Sequence, residues 1–233
     1  MNGLEPGERE AARWVRQMFG RVARRYDFLN HLLSFNLDRR WRARTVRELR
    51  AAIERPGARV LDLCCGTGDL LASMGNAALG VDFCHPMLVE ARRKIPGAML
   101  VEADALALPL ADGSFDVAAT AFGFRNLANY ERGLRELRRV LKPGGVAAIL
   151  EFSRPSSAAF AALYDFYSRR VLPAVGGAVS GDRGAYEYLP ESVRRFAGAE
   201  RLAEMMREAG FDNVRFARLT GGIVALHLGT APA

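Results

Sequence analysis

The stretch VLDLCCGTGDL, Val60 to Leu70, sets an apolar run, an acid, two adjacent cysteines and a Gly-Thr-Gly turn side by side. A continuous apolar run that ends on such a turn describes a strand buried on both faces and opening onto a helix. Downstream the pattern repeats. The runs ARVLDLCC, AALGVDF, AMLVEAD, FDVAATAF and GGVAAILEFS alternate with helical segments near Asp69 to Met74, Pro86 to Lys94 and Tyr130 to Leu141, the last closed by KPGG. Five strands joined by crossover helices make a doubly wound α/β fold. Two more apolar stretches, VRFARLT and GIVALHLGT, are joined by Gly221-Gly222 and predict a C-terminal antiparallel hairpin on a seven-stranded, mostly parallel sheet.

Upstream, Trp14, Val15, Met18, Phe19, Val22 and Tyr26 recur at helical spacing with arginines between them, an amphipathic helix with a basic face. Further helix follows, with Asn36 or Asp38 as the break or cap. The expected organisation is an N-terminal helical lid or substrate segment, residues 1–55, and a main domain, 56–233, in which 154–200 is a substrate-side insertion.

The net charge is +7, yet residues 1–55 alone hold 13 Lys/Arg against 7 Asp/Glu. A local excess of this kind suits an anionic surface as well as a solvated helix face. Cys64, Cys65 and Cys84 form neither an even disulfide set nor a C-x-x-C pair, which indicates a reducing, cytoplasmic setting. As strand neighbours Cys64 and Cys65 would point to opposite faces, so they read as small buried hydrophobes rather than metal ligands. No clustered His or carboxylate set suggests a metal. The apolar runs are too short to span a bilayer and the N-terminus is too polar for a secretory signal, so the expected place is the cytoplasm, with the inner membrane face open through the basic helix.

In an open α/β sheet a ligand binds at the carboxyl ends of the strands, where Gly66, Thr67 and Gly68 lie. A dinucleotide fingerprint, G-x-G-x-x-G/A, fails at its third position, which is Leu71. Asp69 sits in the helix turn where a pyrophosphate would rest and would repel it. A cationic, phosphate-free ligand has the opposite preference. S-adenosylmethionine carries a sulfonium and an ammonium, which Asp62 and Asp69 would favour. Asp82, ending the second strand, is placed to bridge a ribose diol, and Asp104 with Ala105, ending the third, to meet the adenine.

The segments VLDLCCGTGD, VDFCHPML, ADALALPLADGSFD, FGFRN, RVLKPGG and LEFSRP, with YDFLN upstream and YLPES downstream, resemble the ubiquinone/menaquinone biosynthesis C-methyltransferase family. The resemblance runs from about Phe19 to Gly229 and implies a class I, Rossmann-like methyltransferase fold. It implies methylation of a ring carbon of a polyprenyl quinol, demethylmenaquinol to menaquinol, with the benzoquinol of ubiquinone biosynthesis as the alternative. An RNA methyltransferase, suggested by the basic pI, is disfavoured because FGFRN stands where base-modifying enzymes carry an Asn/Asp-Pro-Pro-aromatic turn, so no nucleic-acid partner is expected. A homodimer is left open.

For the chemistry, Arg125 would stabilise a phenolate, since a guanidinium is a poor base. Asn126 would orient the ring. Tyr26 is similar to the family's aromatic hydroxyl at the substrate mouth. His31 and Glu151 are alternative bases, Glu151 also a brace, and His227 reads as core. Two positions depart from the family, Cys84 and Ala121, where serine or another small polar residue is common, so a hydroxyl contact to the methionine part is expected to be missing.

Overall fold

The computed structural model describes residues 5–75, 78–171, 174 and 183–233. Seven strands form one sheet in the order β3-β2-β1-β4-β5-β7-β6. They are β1 (Val60–Leu63), β2 (Ala78–Asp82), β3 (Met99–Glu102), β4 (Phe115–Ala121), β5 (Leu141–Phe152), β6 (Asp212–Leu219) and β7 (Val224–Thr230). The first five pair in parallel, and β7 runs antiparallel to both β5 and β6. Strand order reverses between β1 and β4, which puts the open crevice at the end of β1.

Alternation along β1 sends side chains to two apolar layers. Leu61 and Leu63 join Phe124, Leu134, Leu137, Ile149 and Met206 on one face. Val60 joins Trp41, Leu49, Leu70, Leu71, Ala148 and Leu226 on the other. Asp62 shares the face of Val60, and the helices that cover that face surround it.

The N-terminal segment is helical throughout. Helix α1 (Pro6–Leu33) continues beyond Tyr26 as one helix, with Val15, Met18, Val22, Ala23 and Leu29 buried. Asn36, in the left-handed region at φ 58, caps α2 (Leu37–Ile53). Asn tolerates that conformation better than most residues, so of the two expected break points Asn36 is the turn and Asp38 is helical. The other helices are α3 (Asp69–Met74), α4 (His85–Lys94), α5 (Tyr130–Val140), α6 (Ala158–Phe166), α7 (Arg183–Arg195) and α8 (Ala199–Glu208).

Two features differ from expectation. Strand β5 begins at Leu141, so KPGG lies inside it, and the register with β4 slips between Phe115 and Val117. Gly144, at φ 72, and Gly145, where a Cβ would lie 2.8 Å from the Lys142 carbonyl, absorb the irregularity. The insertion is helical in both halves, with Pro190 inside α7. Its residues 172–173 and 175–182 lie outside the described residues.

Candidate active site

A cavity of about 760 Å³ opens at the ends of β1, β2, β3 and β4, roofed by α1. Cys64, Gly66 and Gly68 all adopt positive φ, at 55, 54 and 84°. These reversals fold the chain from β1 into α3 so tightly that backbone faces the cavity, and a Cβ on Gly68 would press to 3.0 Å from the Ile95 side chain. Cys64 is therefore no strand residue. It lines the cavity half-buried, while Cys65 is buried and also reaches it. Burial pushes both thiols well above the usual range, with the neighbouring Asp62 and Asp82 acting in the same direction.

The carboxylates expected at the strand ends converge here. Asp82 accepts the Gly66 N–H at 2.9 Å on one oxygen and the Cys84 N–H at 2.8 Å on the other. Burial raises its pKa to about 6 against those bonds. Asp104 accepts the Leu106 N–H at 3.0 Å, and Ala105 lines the cavity beside it. Thr67 is buried, and its hydroxyl donates to Asp27 of α1. Asp62 is 1% exposed, and neither oxygen has a hydrogen-bond partner in good geometry. Burial holds its carboxyl well above the ordinary range, against the opposing pull of Arg42 and the Leu71 amide.

Asp69 is the exception. It was expected to present an uncompensated charge to the ligand, but it pairs with Lys94 at 2.6 Å and Arg42 at 3.4 Å. Lys94 also pairs with Asp27, so cations from α2 and α4 neutralise the α3 N-terminus. Cys84 is buried and offers the cavity no contact, as expected. Its thiol turns away from the cavity and donates to the Arg16 carbonyl at 3.5 Å, clamping α1 onto α4. Ala121 does line the cavity, so one of the two family hydroxyl positions faces it as an apolar methyl.

A second cavity, about 490 Å³ and walled by apolar residues such as Met18, Val22, Trp41, Phe152, Leu163 and Ile223, lies between α1, α2 and α6. Phe19, Tyr26, Arg42 and Phe122 line both spaces. Phe122 holds φ 62, a sparsely populated region for a bulky residue. Its ring is wedged between Trp41, at 5.9 Å, and Phe152, at 5.0 Å.

This twist splits the FGFRN segment. Arg125 faces the apolar cavity and Asn126 the polar one. Arg125 is buried, binds Glu151 at 3.1 Å, donates to the Phe122 carbonyl and to Ser192 at 3.3 Å, and lies 5.1 Å over the Phe152 ring. Burial works against its charge, yet Glu151, Tyr26 and Tyr188 leave its pKa raised. Glu151 is thereby a brace rather than a free base. Asn126 accepts the Tyr188 hydroxyl at 3.1 Å, a contact from the insertion. Tyr26 sits at the junction; burial raises its hydroxyl pKa, with Arg125 and a bond to Asn30 opposing.

His31 does not enter either cavity: its Nδ1 meets Asp38 at 2.7 Å. His227 is buried, stacks on Phe216 at 5.2 Å and meets the Ala199 carbonyl, as core. Sequence reading missed Arg42, Asp38 and Phe122. The i,i+4 spacing of Asp38 and Arg42 was visible in the sequence, but no local signal marks Phe122.

Residues 7–231 match the model of the ubiE/COQ5 methyltransferase family. A demethylmenaquinone methyltransferase of Thermus thermophilus is 50% identical over 92% of this chain and 100% of its own length. The ubiquinone/menaquinone biosynthesis C-methyltransferase UbiE of Syntrophotalea carbinolica is 46% identical over 92% and 91%. Among solved structures, a SAM-dependent methyltransferase of Thermotoga maritima shares the fold at TM-score 0.65 and 22% identity, over 92% of this chain and 99% of that one. The chain belongs to the ubiE/COQ5 methyltransferase family and is an S-adenosylmethionine-dependent methyltransferase.

Proposed function

We propose that this enzyme methylates a ring carbon of a polyprenyl hydroquinone, converting demethylmenaquinol to menaquinol; the benzoquinol of ubiquinone biosynthesis is the alternative. The observation that carries the reading is the meeting of an acid-lined cavity with an apolar one at Tyr26 and Phe122. The relatives named for this reaction support it.

The residues fit S-adenosylmethionine. Two buried carboxylate oxygens on Asp62 lack partners, and the reversed turn at Gly66, Thr67 and Gly68 leaves backbone facing the space. When bound, this cofactor supplies a methyl group activated by positively charged sulfur. Asp82 keeps lone pairs beyond its two backbone bonds to receive ribose hydroxyls. Asp104 and Ala105 take the adenine, and Asp62 the ammonium. On the other side Arg125 stabilises the ionised ring hydroxyl, Asn126 orients the ring and Tyr26 guards the junction. Described residues of the N-terminal segment and of the insertion, from Met18 to Arg42 and from Phe160 to Leu189, supply walls that exclude water.

Among the described residues no helix is long and apolar enough to cross a membrane. We place the enzyme in the cytoplasm, at the inner membrane face. Support comes from exposed apolar side chains of α1, α6 and the turn before α2: Phe35 and Leu163, which line the apolar cavity, and Phe28, Leu32 and Phe166, all 45–75% exposed. Exposed arginines of α1 and α2 flank them, among them Arg24, Arg39 and Arg40.

The test incubates the enzyme with labelled S-adenosylmethionine and demethylmenaquinol, reduced and oxidised in parallel, with the benzoquinol and RNA as further arms. Transfer to the reduced naphthoquinol is expected. Transfer to RNA, or none to either quinol, overturns the reading.

A further inference from the structure

Four buried polar atoms of three residues that line the polar cavity have no hydrogen-bond partner in good geometry: both Asp62 oxygens, Arg42 Nε, and Asp69 Oδ2, which keeps only its ion pair with Arg42. Among the described residues only Thr120 Oγ1 and His227 Nδ1 share that condition, and neither lines this cavity. Buried polar atoms seldom stay unsatisfied, so a cluster of them against an open space marks where a ligand belongs.

Arg42 is 7% exposed, and its guanidinium is fixed on three sides. One terminal nitrogen binds Asp38 at 2.5 Å, the other faces Asp69 at 3.4 Å, and the group lies 5.3 Å over the Phe122 ring. The Nε–H, by contrast, meets no acceptor. Unmatched groups of opposite sense thus stand in the same wall, the acceptor oxygens of Asp62 and the Nε–H donor of Arg42. Their complement is a molecule with an ammonium and a carboxylate on neighbouring atoms, the end of an α-amino acid.

We infer that Arg42 is the receptor for the α-carboxylate of the cofactor's methionine part, donating from Nε while Asp62 accepts from the ammonium. The inference rests on the cofactor assignment above. The other arginines along this cavity suit the task less well. Arg13 is exposed, and Arg16 pairs with Glu102 at the end of β3. Because Arg42 also lines the apolar cavity, the same guanidinium that receives the carboxylate borders the substrate space.

Calorimetry separates the parts. S-adenosylhomocysteine carries the amino-acid end, 5′-methylthioadenosine lacks it, and the decarboxylated homologue lacks the carboxylate alone. The wild-type enzyme is expected to bind the decarboxylated compound roughly ten- to hundredfold more weakly than S-adenosylhomocysteine, the worth of one charge-assisted hydrogen bond. Arg42→Lys keeps a charge beside Asp38 and loses Nε. It is expected to lose affinity for S-adenosylhomocysteine by a similar factor, and to hold 5′-methylthioadenosine within twofold. Equal loss for both ligands, or no loss for either, overturns the inference. Parity of S-adenosylhomocysteine and its decarboxylated homologue on the wild-type enzyme overturns it even if the variant does not fold. Failure of the wild-type enzyme to bind any of the three compounds strikes the cofactor assignment instead.

Discussion

Arg125 and Glu151 are joined twice, guanidinium to carboxylate at 3.1 Å and Arg125 backbone N–H to the second oxygen at 3.1 Å. The pair locks the turn after β4 to the end of β5 in a buried setting, where removing one partner strands the other charge. Glu151→Gln is expected to cost about 3–5 kcal/mol in denaturant unfolding. Arg125→Lys keeps the charge but not the planar fork. Because Arg125 faces only the apolar cavity, cofactor affinity should hold while kcat falls on the order of a hundredfold.

Cofactor affinity should rise with pH up to about 6. Asp82 has its folded pKa near that value, and ribose hydroxyls donate to its ionised form. Binding below pH 6 therefore releases a proton from Asp82, and Kd should fall by at least tenfold per pH unit as the pH rises to that value, with Asp62, also held high by burial, acting in the same direction. Asp82→Ala should abolish binding. A flat Kd from pH 5 to 8 would show that this carboxylate does not contact the cofactor.

Gly123 and Cys64 compete for one volume, since a Cβ on Gly123 would sit 2.4 Å from the Cys64 Cβ. Gly123→Ala is expected to destabilise by about 1–3 kcal/mol. Cys64→Gly, at a position already holding φ 55, opens the space and should restore much of that loss in the double variant. Thermal unfolding of the four proteins measures the coupling.

Tyr188 carries the insertion onto the turn after β4 through its bond to Asn126. Tyr188→Phe removes one hydrogen bond and should lower turnover roughly fivefold with little change in Tm. An unchanged rate would mean that the Asn126 amide is oriented by its other contacts.

What the sequence made legible was local. The apolar run before Gly66 announces β1, and the arginines between Trp14 and Tyr26 announce α1, because both are written at one period in one segment. The strand-end acids Asp82 and Asp104 follow from the same reading. What it hid were meetings between distant segments. Asp69 looked free because Arg42 and Lys94, which neutralise it, arrive from α2 and α4. Cys84 gave no sign of its partner, because the Arg16 carbonyl that its thiol engages comes from α1. The left-handed Phe122 breaks residue preference, and tertiary packing between Trp41 and Phe152 imposes it. The α7 helix carries Pro190 inside it, which no local preference favours.

The Phe122 ring gives the enzyme two independently adjustable rooms with one shared doorpost. Residues that face only the apolar room, such as Leu163 and Phe160, can be exchanged to suit longer or bulkier tails without touching any group that grips the donor. A lineage could therefore change its quinone while inheriting its methyl source intact.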